Sequence, residues 1–338
     1  MTIEIKALDT LIFRDGKPFG GEDDNWADSL KFPSLTTIYG ALRATYFSQN
    51  IDKFHLANTQ DDPTNKLKIK KFLLKDESNF IFPIPQDLAF IKNKEEIVEL
   101  ELEENNFSSN PLKYIFTSSK EVEKKEAFLA ISQLRKYLDS LKVNNFILTN
   151  DLIKDEFKIG IGLNKRKNVV EEGKLFRIGL NRYKNLKFIV EFEGIEIKNK
   201  GFLKLGGEMK GAYYQKIKDI NLPFNEKFSN KFKLYFLTPA IFEKGWLPSF
   251  INENLEGEIE GIKLKLIAVA NSKPIYIGGW DIKENIPKPM RKVIGAGSVY
   301  YFEFEGDKEK LIKYFKNNSI SDFNKKEGYG MTLIGELK

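Results

Sequence analysis

Lys288-Pro289-Met290-Arg291-Lys292-Val293-Ile294-Gly295-Ala296-Gly297-Ser298-Val299-Tyr300-Tyr301-Phe302-Glu303-Phe304-Glu305 carries the reading of the fold. A basic, proline-marked approach meets two glycines one residue apart and then a strand. In that strand Val299, Tyr301 and Glu303 share one face, and Tyr300, Phe302 and Phe304 the other. Both faces are apolar at the start, which predicts a strand covered on both sides there. Gly295 and Gly297 allow positive φ or close backbone approach, and Ser298 follows them. Lys288, Arg291 and Lys292 place three cations just before the turn. A basic, glycine-flexed loop entering a sheet suits a polyanion backbone. It holds no nucleophile and no phosphate-loop lysine–serine pair, so binding is expected here, not catalysis.

Composition narrows the classes. A chain of 338 residues exceeds the roughly 250–300 at which single cores stop growing, so two domains are expected. The 28 Phe and 13 Tyr favour strands packed against helices. A net charge of +6 permits a nucleic-acid partner without requiring one. With no Cys, disulfides and cysteine-based metal or nucleophile sites are excluded. The one histidine, His55, cannot supply a multi-histidine zinc site or an imidazole pair. No metal, cofactor or catalytic residue is therefore expected. The first residues run straight into a strand pattern without a signal-peptide core. No segment approaches 18 apolar residues, so no membrane span and a cytoplasmic location are expected.

Outward from that stretch, three helices are read. Residues 33–47 read as a helix with a Ser or Thr cap and a stripe of Leu35, Ile38, Leu42 and Tyr46. Gly40 within it suggests a close backbone contact. Ser34 and Thr37 sit at its first turn, where a phosphate or simple capping explains them equally. Arg43 could reach the same groove or a carboxylate of its own domain. Residues 308–315 read as a short helix, and 120–138 as a longer one with Phe128, Ile131, Leu134 and Leu138 buried. Ahead of the first helix, Arg14 and Lys17 flank an Asp-Gly turn.

Residues 157–178 read as a long hairpin whose middle carries Lys165, Arg166, Lys167 and Asn168. Such a hairpin could run along a nucleic-acid backbone or be an ordinary solvated tip. Residues 201–214 form a second glycine-rich stretch without a dinucleotide register. There Lys204, Lys210 and the tyrosines, Tyr214 included, could contact phosphate and stack on a base, or form a solvated rim. Polar residues 221–230 mark the linker, giving domains 1–225 and 226–338. Strand, connection, strand, strand, helix, strand in the second half is compatible with a ferredoxin-like unit whose first helix cannot be placed.

Six segments in order carry a resemblance: residues 13–19, Tyr39-Gly40-Ala41-Leu42-Arg43, Leu205-Gly206-Gly207-Glu208, Thr238-Pro239-Ala240, Gly245-Trp246-Leu247-Pro248 and residues 294–302. Together they resemble the third-subunit family of the Cmr complex, the type III-B CRISPR effector, within the RAMP superfamily. The resemblance implies an α+β fold of two ferredoxin-like, RNA-recognition-motif-like domains with a protruding β-hairpin and glycine-rich loops. It implies a non-catalytic subunit that holds the 5′ tag of the CRISPR RNA beside the large polymerase-like subunit and the backbone subunit. Arg14, Lys17, Ser34, Thr37 and Arg43 would line the tag-binding side. Gly206, Gly207, Lys210, Gly295, Gly297 and Ser298 would supply glycine-rich contacts, and residues 165–168 the hairpin that separates tag from guide. Two related readings stay open: a repeat-processing endoribonuclease using His55 or Tyr39 with Lys210, and the equivalent type III-A subunit. A third is a scaffold without RNA contact.

Overall fold

The computed structural model describes residues 1–14, 26–106, 111–164, 169–281, 284 and 286–337. In chain order the main elements begin with β1 (Thr2–Ala7), α1 (Leu35–Gln49), β2 (Lys68–Lys75), β3 (Phe80–Pro83), β4 (Ala127–Ala130) and α2 (Ile131–Leu138). Then come β5 (Ile153–Asn164), β6 (Val169–Tyr183), β7 (Lys187–Glu193), β8 (Lys200–Lys204) and β9 (Gly211–Ile217). The chain closes with β10 (Lys231–Phe236), β11 (Ile262–Ala270), β12 (Val299–Glu305), α3 (Lys308–Asn317) and β13 (Thr332–Glu336). The protein is a strand-rich mixture of sheet and helix. Its residues gather into two compact units. One holds Met1–Phe72, Asn150–Asp219 and Tyr276–Arg291; the other holds Leu73–Thr149, Ile220–Ile275 and Lys292–Lys338.

In the first unit the strand order is β2-β7-β1-β9-β8. β1 pairs antiparallel with β7 and with β9, aligning Ile5 with Phe188 and with Tyr214. Ile3, Ile5, Phe188 and Tyr214 are all fully buried. α1 starts at Ser34, whose hydroxyl accepts the Thr37 amide. Its buried positions Leu35, Ile38, Ala41 and Leu42 recur at helical spacing, as one apolar stripe requires. Tyr46 is only half-buried, and a side chain at Gly40 would meet nothing. The expected close contact at Gly40 is absent because that position points away from the stripe.

In the second unit the sheet order is β11-β12-β10-β13, with a short strand at Glu256–Ile259 on the β11 edge. All three main pairings are antiparallel. Val299, Tyr300, Tyr301 and Phe302 of β12 are buried, as the two apolar faces predict. Phe232 stacks on Phe302 with ring centroids 5.4 Å apart. Asp307 caps α3, accepting the amides of Glu309 and Lys310 at 2.9 and 3.1 Å. Leu311 and Phe315, one helical turn apart, then enter the core. No helix stands between β10 and β11, where the sequence left one unplaced.

The expected helix over 120–138 is halved. Residues 122–123 and β4 are extended, and the helix begins at Ile131. Ala127, Phe128 and Leu129 are buried consecutively, which a central strand allows. β4 pairs with β3, Leu129 facing Phe82.

A buried carboxylate organises this second unit. The hydroxyls of Tyr137 on α2 and Tyr301 on β12 both donate to Asp87 Oδ2 at 2.6 Å. Asp87 is completely buried. Lys124 Nζ brackets it, donating to the carbonyls of Gln86 and Leu88 at 2.5 and 2.7 Å. Burial lowers the Lys124 pKa, with Asp87 pulling the other way. Tyr235 donates to the Pro83 carbonyl at 2.7 Å, and Lys233 Nζ lies 3.8 Å over the Tyr137 ring. Burial first, and then the Asp87 charge, push the Tyr137 and Tyr301 pKa values well above the ordinary phenol.

Tyr301→Phe should therefore lower the unfolding free energy by about 1.5–3 kcal/mol, read by urea denaturation, because it strips one donor from a buried charge. The same tyrosines set an alkaline limit. Raised folded-state values leave their stabilisation complete below about pH 10, and it is lost as pH rises beyond that. Stability measured above pH 10 should fall less steeply for Tyr301→Phe than for the unaltered chain.

Candidate nucleic-acid interface

The sequence-derived cations and glycines fall into three places. The first is the segment leading into α1. Arg14 is exposed and bridged through its backbone to Ser29, while Lys17 lies outside the described residues. The Ser34 and Thr37 hydroxyls meet at 2.9 Å, and the Ser34 oxygen also takes the Thr37 amide at 3.2 Å. Their polar atoms thus build the helix cap.

Arg43 is held inside its own unit. Its guanidinium donates to the Thr64 hydroxyl at 2.8 Å, Asn58 at 3.0 Å and Asp62 at 2.6 Å. The Asp62 side chain is 1% exposed, so this pair is a loop anchor with little water to screen it. Burial works against the Asp62 charge, but the Thr64 hydroxyl, the Asn58 and Thr64 amides and Arg43 together hold its pKa below the usual range. Of the two roles open to Arg43, the carboxylate of its own domain is the one seen.

The second place is the turn between β8 and β9. Gly206 has φ +81°, and a side chain there would fall on the Ile12 carbonyl oxygen. The Gly207 amide donates to that same oxygen at 2.9 Å. Glu208 and Met209 follow at φ 55° and 53°, and the Leu205 amide closes the turn on Lys210 at 2.9 Å. Gly206 is therefore required by sign of φ and by space together. Lys210 Nζ sits 3.2 Å from the Thr10 hydroxyl and 3.5 Å from Asp9. Lys204 is exposed at the end of β8. Tyr214 is fully buried, its hydroxyl accepting from Gln49 at 2.8 Å, which leaves no ring face for a base.

Beside this turn rises the β5–β6 hairpin, paired from Ile153↔Tyr183 to Asn164↔Val169 with a register shift between Ile161 and Leu163. Lys165, Arg166, Lys167 and Asn168 lie outside the described residues. The hairpin base carries features that sequence reasoning missed. Asn181, 1% exposed, exchanges both backbone hydrogen bonds with Leu11 at 2.9 and 2.8 Å. Its side-chain amide donates to the Leu30 carbonyl at 2.6 Å and to Ser29 at 2.9 Å. Arg182 pairs with Glu156 and, at 3.3 Å, with Asp9. A lone asparagine in an otherwise strand-like run was the available signal.

The third place is the opening stretch itself. Lys288 and Arg291 belong to the first compact unit, Lys292 to Ser298 to the second. Lys288 and Lys292 are exposed and Arg291 half-buried. Gly297, at φ +87°, would place a side chain 2.6 Å from the Ile84 oxygen. Its amide donates to Phe236 and its carbonyl accepts from Gln86, both at 2.8 Å. A side chain at Gly295 would collide with Ser272. Ser298 is fully buried. These residues serve internal packing, and the cations ahead of them form the accessible part.

Among the described residues no three His, Asp or Glu side chains group to hold a metal ion. His55 is exposed in the short turn Ile51–Leu56. The Tyr39 hydroxyl donates to the Leu67 carbonyl at 3.4 Å.

A strand-rich mixed α/β protein with exposed cations on several loops is the class these features define. Its fold matches a chain in the cryo-EM structure of the Type III-B Cmr-beta bound to cognate target RNA and AMPPnP, state 1. The TM-score is 0.56 at 19% identity, covering 97% of this chain and 95% of that one. A chain in the Cmr-beta structure bound to cognate target RNA matches with the same values. At that identity the likeness is one of fold. The model of the family described as CRISPR-associated protein (Cas_Cmr3) matches residues 3–337, and the chain belongs to that family. The resemblance set out from the sequence is thereby borne out. Comparison with curated proteins returned no match. No helix among the described residues is long and apolar enough to cross a membrane.

Two substitutions test the anchors. Gly206→Ala should destabilise by about 1–3 kcal/mol in thermal or urea melts, since it meets both forbidden φ and the Ile12 carbonyl. Arg43→Ala should cost about 1–3 kcal/mol near neutral pH. Because Asp62 titrates low in the folded state, its stabilisation is present above about pH 4 and lost as pH falls through the folded value. The Arg43→Ala deficit should therefore shrink in acid.

Proposed function

We propose that this chain is a non-catalytic RNA-binding subunit of a type III-B CRISPR effector, working in the cytoplasm. It holds the 5′ tag of the CRISPR RNA and bridges the large polymerase-like subunit to the backbone subunit. The observation that carries the reading is the family match over nearly the whole chain. The fold likeness to chains of Cmr-beta structures bound to target RNA supports it.

The domains are two ferredoxin-like modules, 1–225 and 226–338. Supporting this, β9-β1-β7-β2 and β13-β10-β12-β11 are the same strand order, fourth-first-third-second within each half. The first half carries α1 after its first strand and α2 between its second and third, and the second half carries α3 after its third.

RNA contact would run through exposed cations: Arg14, Lys204, Lys288 and Lys292, with Lys17 and the hairpin residues Lys165, Arg166 and Lys167. Phosphate contacts set register, while base-edge contacts select the tag. A single-stranded tag exposes both.

Crosslinking of the assembled effector carrying labelled CRISPR RNA tests the role. Tag nucleotides should crosslink to residues 14–43, 204–214 or 288–298 of this chain. Tag crosslinks confined to other subunits would sink the reading in favour of a scaffold. Neutralising Lys165, Arg166 and Lys167 to Gln should weaken RNA binding and flatten the salt dependence of log K by about 2, at about 0.7 per lost phosphate contact.

A further inference from the structure

β8 is the edge strand of the first unit, and its outward face has an unusual composition. Phe202 is 68% exposed. It aligns with Tyr213 on β9, which aligns in turn with Lys6 on β1. The two rings meet edge to face with centroids 5.6 Å apart. Lys200 and Lys204 lie on the same face of β8, two residues to either side of Phe202 and about 7 Å from it along the strand. Leu8, 60% exposed, extends the patch beyond the end of β1.

This face is opposite to α1. Alternation places Leu203, Ala212 and Tyr214 inward, where Gln49 of α1 bonds the Tyr214 hydroxyl. Of the two adjacent tyrosines, Tyr214 is therefore spent in the core and Tyr213 lies half-buried on the outward face. Lys6, Lys200 and Lys204 are exposed and have no ion-pair partner among the described residues. The one carboxylate on the outward face of β1, Glu4, is already held by Lys187 at 2.7 Å.

From this arrangement we infer that Phe202 and Tyr213 form a base-stacking platform for single-stranded RNA, with Lys6, Lys200 and Lys204 taking the phosphates. Lysines on an edge strand also discourage strand addition, but that role does not call for a large exposed ring between them. An exposed aromatic ring packed edge to face on a second one, with cations lacking ion-pair partners among the described residues around them, matches a ligand with π faces on an anionic chain. A protein partner would have to bury three lysines that lack counter-charges. The inference rests on the RNA-binding reading above and adds a surface distinct from the loops named there.

The test is fluorescence anisotropy of the purified full chain with a labelled single-stranded RNA oligonucleotide at several salt concentrations. Phe202→Ala should weaken binding by about 5- to 150-fold, the range of one lost stacked base. Phe202→Trp should restore it, whereas Phe202→Leu, apolar but without a ring, should not. Lys6, Lys200 and Lys204 together changed to Gln should flatten the salt dependence of log K by about 2. Because Phe202 is exposed, its variants should melt like the unaltered chain.

If Phe202→Ala binds RNA normally while neutralisation of the 165–167 cluster weakens binding, the platform is overturned and the RNA-binding reading stands. If Phe202→Ala keeps RNA affinity but loses companion subunits during purification, the face docks protein and the inference is wrong. If the unaltered chain binds no RNA at any salt, both readings fall together.

Discussion

A buried carboxylate must be bonded or neutralised, and the second unit is built around two tyrosyl hydroxyls that converge on Asp87 Oδ2. Its two tyrosyl donors come from a helix 50 positions after it and from a strand 214 positions after it in the chain. Each hydroxyl must arrive within hydrogen-bond distance of one oxygen, so the register of α2 and the height of β12 are fixed together. Tyr235 reaches the Pro83 carbonyl from the strand beside β12 and ties β3, a strand of another sheet, to it. Hydrophobic burial gives this unit its cohesion, but it is non-directional. The tyrosine–aspartate cluster supplies the direction.

The first unit solves a different problem. Its glycine turn, the segment around Ile12 and the base of the β5–β6 hairpin all converge, and they do so through backbone hydrogen bonds and the amide of Asn181. Polar groups there are consumed in holding loops in place, as Arg43 is consumed by Asp62. What remains for a partner is the set of exposed cations. A glycine-rich motif near a basic segment therefore has two roles. The glycines permit close packing, and the packing aims the lysines outward.

Much of the architecture was legible in the sequence because local pattern and tertiary environment agree. Ser34 caps α1, Leu35, Ile38 and Leu42 give its buried stripe, and the double apolar face of β12 is a strand covered on both sides. The antiparallel pairing of the two arms at 153–164 and 169–183 also agrees with their alternation. Misreading came where two periods overlap. Phe128 and Ile131 are spaced as in a helix, yet Phe128 belongs to a strand whose next residues turn into α2. The role of Asp87 was invisible, since nothing local links it to Tyr137 and Tyr301. The candidate site was legible only as regions. Tyr213 and Tyr214 are indistinguishable as a pair of letters, and only the alignment of β9 with Ile5 decides which ring is buried.

The β5–β6 hairpin has a mechanical consequence. From Ile153 to Asn164 its strand extends about 36 Å, and the partner strand is tied to its neighbours near Asn181 and again where Arg177 and Ile178 pair with Trp26 and Ala27. The lever is therefore the outer part alone, from Ile159, which lies opposite Arg177, to Asn164. A tilt of about 5° there carries the far end of the strand through about 1.4 Å, at the rise of about 3.3 Å per residue. That distance is comparable to the difference between a made and a broken hydrogen bond. Whatever grips the distal end can thus be felt at the Arg177–Ile178 pairing as a small rotation.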